Sequence, residues 1–136
     1  MPISLNLGLT HAPLYVGLLM GLVILLAVIV SLMRMVKRIY LGDGGDKQMQ
    51  KAIRRHMNSL EHATVFCVLL VVFELAGGPK GAIDWIGGAA VVLRVLHAVG
   101  FGRWRRLTMP TMVVAYSLEA FLCGWVLLLG WQHLHG

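Results

Sequence analysis

Four apolar runs, each followed by a polar break, constrain this chain more than any other feature. A hydrocarbon core of about 30 Å is crossed by roughly 20 helical residues, and residues 14–33 supply that length without one charged side chain. Residues 63–76, 83–101 and 109–134 form three further runs, the first of them short and preceded by polar residues in a helical pattern. The stretch from Leu41 to Asp46 holds three glycines, and residues 77–81 read Gly-Gly-Pro-Lys-Gly, so both break helices. Hydrophobic residues make up 58% of the chain and charged residues 13%, against about 45–50% and about 25% in a soluble domain. The sequence therefore predicts an all-α membrane protein, a four-transmembrane-helix bundle forming one domain over residues 1–136, with helices near 13–38, 47–77, 82–102 and 108–134. The first run is too long for a signal h-region and has no basic segment or cleavage site before it, which makes it a retained span. Cys67 and Cys123 sit inside apolar runs and read as small buried hydrophobes.

Charge sets an expected orientation. Arg34, Lys37, Arg38, Lys47, Lys51, Arg54 and Arg55 flank the first connection, and Arg103, Arg105 and Arg106 the third. The second connection has only Lys80. By the positive-inside rule, connections one and three are cytoplasmic and both termini lie outside. The net charge of +6 is thus topological, with basic loops facing anionic lipid headgroups. Nothing in the sequence points to nucleic acid.

Polar residues from all four helices are expected at one depth near that basic side. Arg54, Asn58 and Glu61 follow spacings of four and three and share a helical face. Arg94, His97 and Phe101 repeat the pattern on the third helix. Arg34 closes the first helix, and Tyr116 and Glu119 lie about two turns into the fourth. Ionisable groups at membrane depth are costly and usually face a bundle interior or a cavity. Alone, Arg54 also fits a snorkelling interfacial arginine, and Asn58 and Glu61 also fit a purely helix-tying role. Glu119 is expected to neutralise an arginine, and Glu74 falls outside the group. Together the set suits an anionic, zwitterionic ligand, since arginines grip carboxylates bidentately and Glu61 can receive an ammonium group. His97 has no second ligand at zinc spacing, residues 42–45 lack the ending of a phosphate loop, and no Ser-His-Asp arrangement is present.

Ala-Ile-Arg-Arg-His-Met-Asn-Ser-Leu-Glu (52–61), an apolar run and Gly-Gly-Pro (77–79) resemble the signature of the MAPEG family, the membrane-associated proteins in eicosanoid and glutathione metabolism. Leu-Arg-Val-Leu-His-Ala-Val-Gly-Phe (93–101) resembles the family's third helix. Residues 40–45 and Arg-Trp-Arg-Arg (103–106) look like its bacterial, microsomal glutathione transferase-like branch. The resemblance runs from about Arg34 to Tyr116. It implies a homotrimer in the bacterial inner membrane that binds glutathione between subunits and needs no metal. By the same resemblance Arg34, Arg54, Asn58, Glu61, His97 and Tyr116 contact glutathione, while Arg94 is mainly structural; Glu119 keeps the ion-pair role read from its position. Met57, Val65 and Phe101 depart from residues common in the family. Met112 stands where eicosanoid-making members have an arginine that stabilises the thiolate, which leaves Arg105 or Arg106 as candidates for that task. A thiol of pKa about 8.5 needs such help at neutral pH.

The resulting expectation is a glutathione-dependent transferase or peroxidase acting on lipophilic electrophiles or hydroperoxides. The alternative is a non-catalytic glutathione- or lipid-binding scaffold on the same fold, which Met112 favours. A small multidrug transporter is a distant third, because helix one carries no acidic residue.

Overall fold

A computed structural model describes residues 8–136 as four antiparallel helices with no strand among them. They are α1 (Ala12–Lys37), α2 (Lys47–Leu75), α3 (Lys80–Gly100) and α4 (Arg105–His135). Each is long and apolar enough to cross a membrane. The ends follow local chemistry. Pro13 opens α1, where its missing N–H costs nothing. Arg38 closes it in a left-handed conformation at φ 55°, with Ile39 N–H bonding Arg34 O and Arg38 N–H bonding Met35 O. Asp46 caps α2 by accepting from Met49 N–H at 2.7 Å. It also accepts from Lys37 Nζ at 2.6 Å, which ties the end of α1 to the start of α2.

Both ends of α1 and the end of α4 fall within one residue of the sequence reading, α3 ends two residues early at Gly100, and three other boundaries differ for local reasons. α2 stops at Leu75 because Gly77, at φ 81°, turns the chain and closes a Schellman motif with Gly78 N–H on Phe73 O. α3 starts two residues early because the Pro79 carbonyl accepts from Ala82 and Ile83. α4 starts at Arg105, three residues early, because the Trp104 carbonyl accepts from Leu107 and Thr108. Pro110 is then carried inside the helix.

α1 has no side-chain cap of its own. Glu74, at the other end of the bundle from the basic loops, supplies one. Its Oε1 accepts from Thr10 N–H, Thr10 Oγ1 and His11 N–H at 2.7, 3.0 and 2.8 Å, and its Oε2 from Ala12 N–H at 2.7 Å. Beside it Asp84 Oδ1 is held by His11 Nδ1 at 2.8 Å and by Tyr15 Oη at 3.0 Å.

α2 and α3 pack against each other and against both remaining helices, whereas the backbones of α1 and α4 do not approach each other closely. α1 and α4 therefore occupy opposite flanks. The interior is graded along its length. At the far end Ala12, Leu70, Phe73, Ile83, Ile86 and Leu122 form an apolar cluster. Leu19, Val23, Ala63, Phe66, Ala90 and Ala115 form the middle layer. Towards the basic end the buried set includes polar residues, Ser59, His62, Arg94, His97, Thr108 and Thr111, beside Met49, Ala52 and Ala98.

The register of α1 against α2 fixes the depth of the polar residues. Leu19 and Val23 pack with Ala63 and Phe66, while Met33 and Ala52 line one depression with Phe101. Residues 54–61 of α2 therefore run beside residues 24–32 of α1, which are apolar apart from Ser31. The polar half of α2 lies at a depth where its neighbour is built for lipid.

Candidate functional site

The most deeply buried charge is Arg94, with 0% exposure. Its Nη2 donates to Asn58 Oδ1 at 2.7 Å and more weakly to Asn58 O at 3.4 Å. No carboxylate forms a salt bridge with it among the described residues. His97, one turn on, is 1% exposed and is paired through Nδ1 with Thr111 Oγ1 at 3.4 Å. Its ring lies edge-on to Phe101, with centroids 5.4 Å apart. The spacing of three that placed Arg94 and His97 on one face therefore aims both inward, one at α2 and one at α4. Arg94 Nε and Nη1, His97 Nε2 and Ser59 Oγ are buried without a protein partner. A guanidinium has five donors in a planar fork, so Asn58 satisfies only part of it.

A second group joins α2 to α4. His62 Nδ1 donates to Glu119 Oε1 at 2.6 Å, with side-chain exposures of 5% and 12%. The Tyr116 ring stands edge-on to His62 at 4.7 Å. Tyr116 and Glu119 also line a groove of about 550 Å³, together with Val65, Val68, Leu69 and Ala120. Glu119, expected to pair with an arginine, makes its hydrogen bond with a histidine.

The remaining candidates are spread out. Arg34 Nη1 donates to Gly42 O at 2.9 Å and Ile39 O at 3.4 Å, and Arg34 lines a separate hollow with Arg38 and Tyr40. Arg54 and Glu61 are exposed on α2. Neither has a salt bridge among the described residues. Arg105 and Arg106 are exposed in the first turn of α4, and Met112 is half-buried. Thus Asn58 and Arg94 meet in the interior with His97 one turn further along α3, and Tyr116 and Glu119 meet at His62. Arg34, on the α1 flank, is separated from Tyr116 and Glu119, on the α4 flank, by the α2–α3 pair. Among the described residues no group of three His, Cys, Asp or Glu side chains has metal-binding geometry.

The model of the MAPEG family matches residues 12–130, from the first residue of α1 into the last turns of α4. The chain belongs to the MAPEG family. A relative from Escherichia coli strain K12, inner membrane protein YecN, is 32% identical over 97 residues, covering 68% of this chain and 74% of that protein. The protein of the same name from E. coli O6:H1 strain CFT073 gives the same figures. No solved structure gives a significant match. Family membership and four spanning helices together make this a multi-pass MAPEG membrane protein.

Within this MAPEG chain, the group that sequence reasoning missed is His62. It follows Asn58 by four residues and so lies on nearly the same helical face. A signal was present, since a histidine on α2 and a carboxylate on α4 both fall within the bundle. Pairing them required the register between the two helices.

Proposed function

We propose that this protein is a glutathione-dependent membrane transferase or peroxidase acting on lipophilic electrophiles or hydroperoxides. One observation carries the reading. Arg54 and Glu61 are exposed on one face of α2, without salt bridges among the described residues, at a depth where α1 is apolar. Charges placed there need a polar occupant or a second copy of the chain to cover them. A tripeptide with two carboxylates and an ammonium group complements an arginine, an amide and a glutamate on successive turns. In this reading Arg54 takes a carboxylate, Glu61 takes the ammonium, and Asn58, already oriented by Arg94, takes the peptide backbone. His97 and Tyr116 complete the wall.

The separation of α1 from α4 supports binding between copies. A ligand touching Arg34 and Tyr116 together would have to draw them from different chains, which fits a homotrimer with three such clefts. The groove lined in part by Tyr116 and Glu119 offers an apolar approach for the second substrate. Proximity of bound thiol and electrophile would then contribute much of the rate. The relative's name and the charge distribution support placement in a bacterial inner membrane with the basic connections inside, facing anionic lipids, and both termini outside.

The test is turnover by detergent-purified protein on a panel of lipophilic electrophiles and hydroperoxides, with and without glutathione. Glutathione-dependent product formation is expected. Absence of turnover across the panel sinks the enzymatic reading. Met112 favours the second reading, a non-catalytic glutathione-binding scaffold, since that position brings no cation to the thiol. Saturable glutathione binding without turnover would select it.

A further inference from the structure

The geometry points to His62, oriented by Glu119, as the general base that takes the proton from the bound thiol. The inference rests on the glutathione reading above and adds to it the group that activates the thiol.

Met112 supplies no charge, and Arg105 and Arg106 precede it by seven and six residues. That separation is about 9–10.5 Å along the helix axis, and both arginines are exposed at its first turn. His62 stands within the proposed contact set. Asn58 lies one turn before it on α2, and the Tyr116 ring is 4.7 Å away on α4. Its Nδ1 is committed to Glu119 at 2.6 Å. An ionised carboxylate can only accept, so this bond puts the proton on Nδ1 and leaves the Nε2 lone pair free. Nε2 has no hydrogen-bond partner among the described residues, and it is not one of the fully enclosed, unpartnered atoms. A buried histidine with its inner nitrogen on a carboxylate and its outer nitrogen free has the arrangement of a general base.

The step balances. The S–H bond breaks, its electron pair stays on sulfur, and the proton bonds to Nε2. The imidazolium charge is offset by the Glu119 carboxylate. In conjugation the thiolate forms a bond to the electrophilic carbon, and the proton on Nε2 passes to the leaving group or to the atom that receives the displaced electron pair. Other titratable groups nearby are Tyr116 on α4 and, within electrostatic reach, Arg94 and His97 on α3. The Glu119 carboxylate, 2.6 Å from His62 Nδ1, is the group placed to hold the ion pair together. Glu119 acts through His62 and is a positioning residue.

The experiment uses detergent-purified full-length protein with glutathione as the probe. It records equilibrium binding together with the ultraviolet absorbance of the thiolate at neutral pH. His62→Gln can still donate to Glu119, and Glu119→Gln preserves shape, so both variants should fold; circular dichroism and gel filtration check this. The expected result is a thiolate band in the wild type that falls at least about tenfold in His62→Gln, the factor corresponding to one pKa unit. Glu119→Gln should give a smaller loss, and glutathione affinity should stay within about threefold in both, under 0.7 kcal/mol. A merely structural role would not remove the band while sparing binding. Persistence of the band in His62→Gln overturns the inference and leaves the glutathione reading intact, as does wild-type binding without any band. Absence of binding by the wild type overturns the glutathione reading itself, and this inference with it.

Discussion

Glu74 Oε2 accepts the backbone N–H of Ala12 at 2.7 Å, so the last turn of α2 caps the first turn of α1. Three further bonds from Thr10 and His11 reach the other oxygen. The free N–H groups of a helix start carry partial positive charge, and a carboxylate there both satisfies them and stabilises the dipole. Glu74→Ala removes every one of these acceptors. It should cost about 1–2 kcal/mol, the upper part of the range for a lost N-cap. Amide hydrogen exchange should accelerate at Ala12 and its neighbours while α4 is unaffected. Unchanged protection at Ala12 would mean that the first turn of α1 is held by packing alone.

Arg94 and Asn58 make a complementary case in the interior. The pair links α3 to α2 at 2.7 Å, and Arg94 has no acidic partner in hydrogen-bond reach among the described residues. Asn58→Ala strips the side-chain acceptor from a buried guanidinium and should destabilise by about 1–3 kcal/mol. Arg94→Met should cost less in the Asn58→Ala background than in the wild type, because the shared bond is already gone. Thermal unfolding of the four proteins in one detergent measures the coupling. Strict additivity would show that Asn58 does not support Arg94.

Acid should loosen the first connection. The Lys37 ammonium beside Asp46, with the Met49 N–H, holds the Asp46 carboxyl below the ordinary carboxylate range. A depressed folded-state pKa gives stability that is complete above the unfolded value and is lost as pH falls through the folded one. For Asp46 that window lies below about pH 4. Asp46→Asn keeps an acceptor for Met49 but loses the ion pair. Its melting temperature should therefore fall less steeply than that of the wild type as the pH is lowered below about 4. Parallel acid profiles for the two proteins would exclude Asp46 as a contributor to acid sensitivity.

The spans were legible because lipid leaves few choices: residues 14–33 lack any charge, and only a helix satisfies the backbone within a single segment of that length in a bilayer. The breaks were legible for the same local reason, with Gly77 and Pro79 between α2 and α3. Helix adjacency was not legible. The separation of α1 from α4 is decided by which faces interlock, and apolar helices carry little periodic signal to show it. The candidate site follows the same division. Arg54, Asn58 and Glu61 were visible through spacing within one helix. The Arg94–Asn58 and His62–Glu119 bonds join different helices and depend on register. Glu74 looked like a stray charge at the far end, since its partners are backbone N–H groups that leave no mark in composition.

The contact of α3 with the Tyr15 ring gives a sharp contrast between two adjacent residues. Gly87 on α3 faces the Tyr15 ring on α1, and a Cβ built there would overlap that ring. Tyr15 cannot simply swing aside without giving up its hydrogen bond to Asp84 Oδ1 at 3.0 Å. Gly87→Ala should therefore separate α1 from α3 or break the Tyr15–Asp84 bond, at a cost of about 1–3 kcal/mol, as for other overpacked interiors. At Gly88 a Cβ meets nothing within 4 Å. Gly88→Ala should be neutral, or stabilising by up to about 1 kcal/mol through the better helix propensity of alanine. Melting temperatures of the two variants, measured side by side in one detergent, separate steric contact from propensity, because the propensity change is the same in both. Equal effects of the two substitutions would mean that α1 does not pack on α3 through Tyr15 and Gly87.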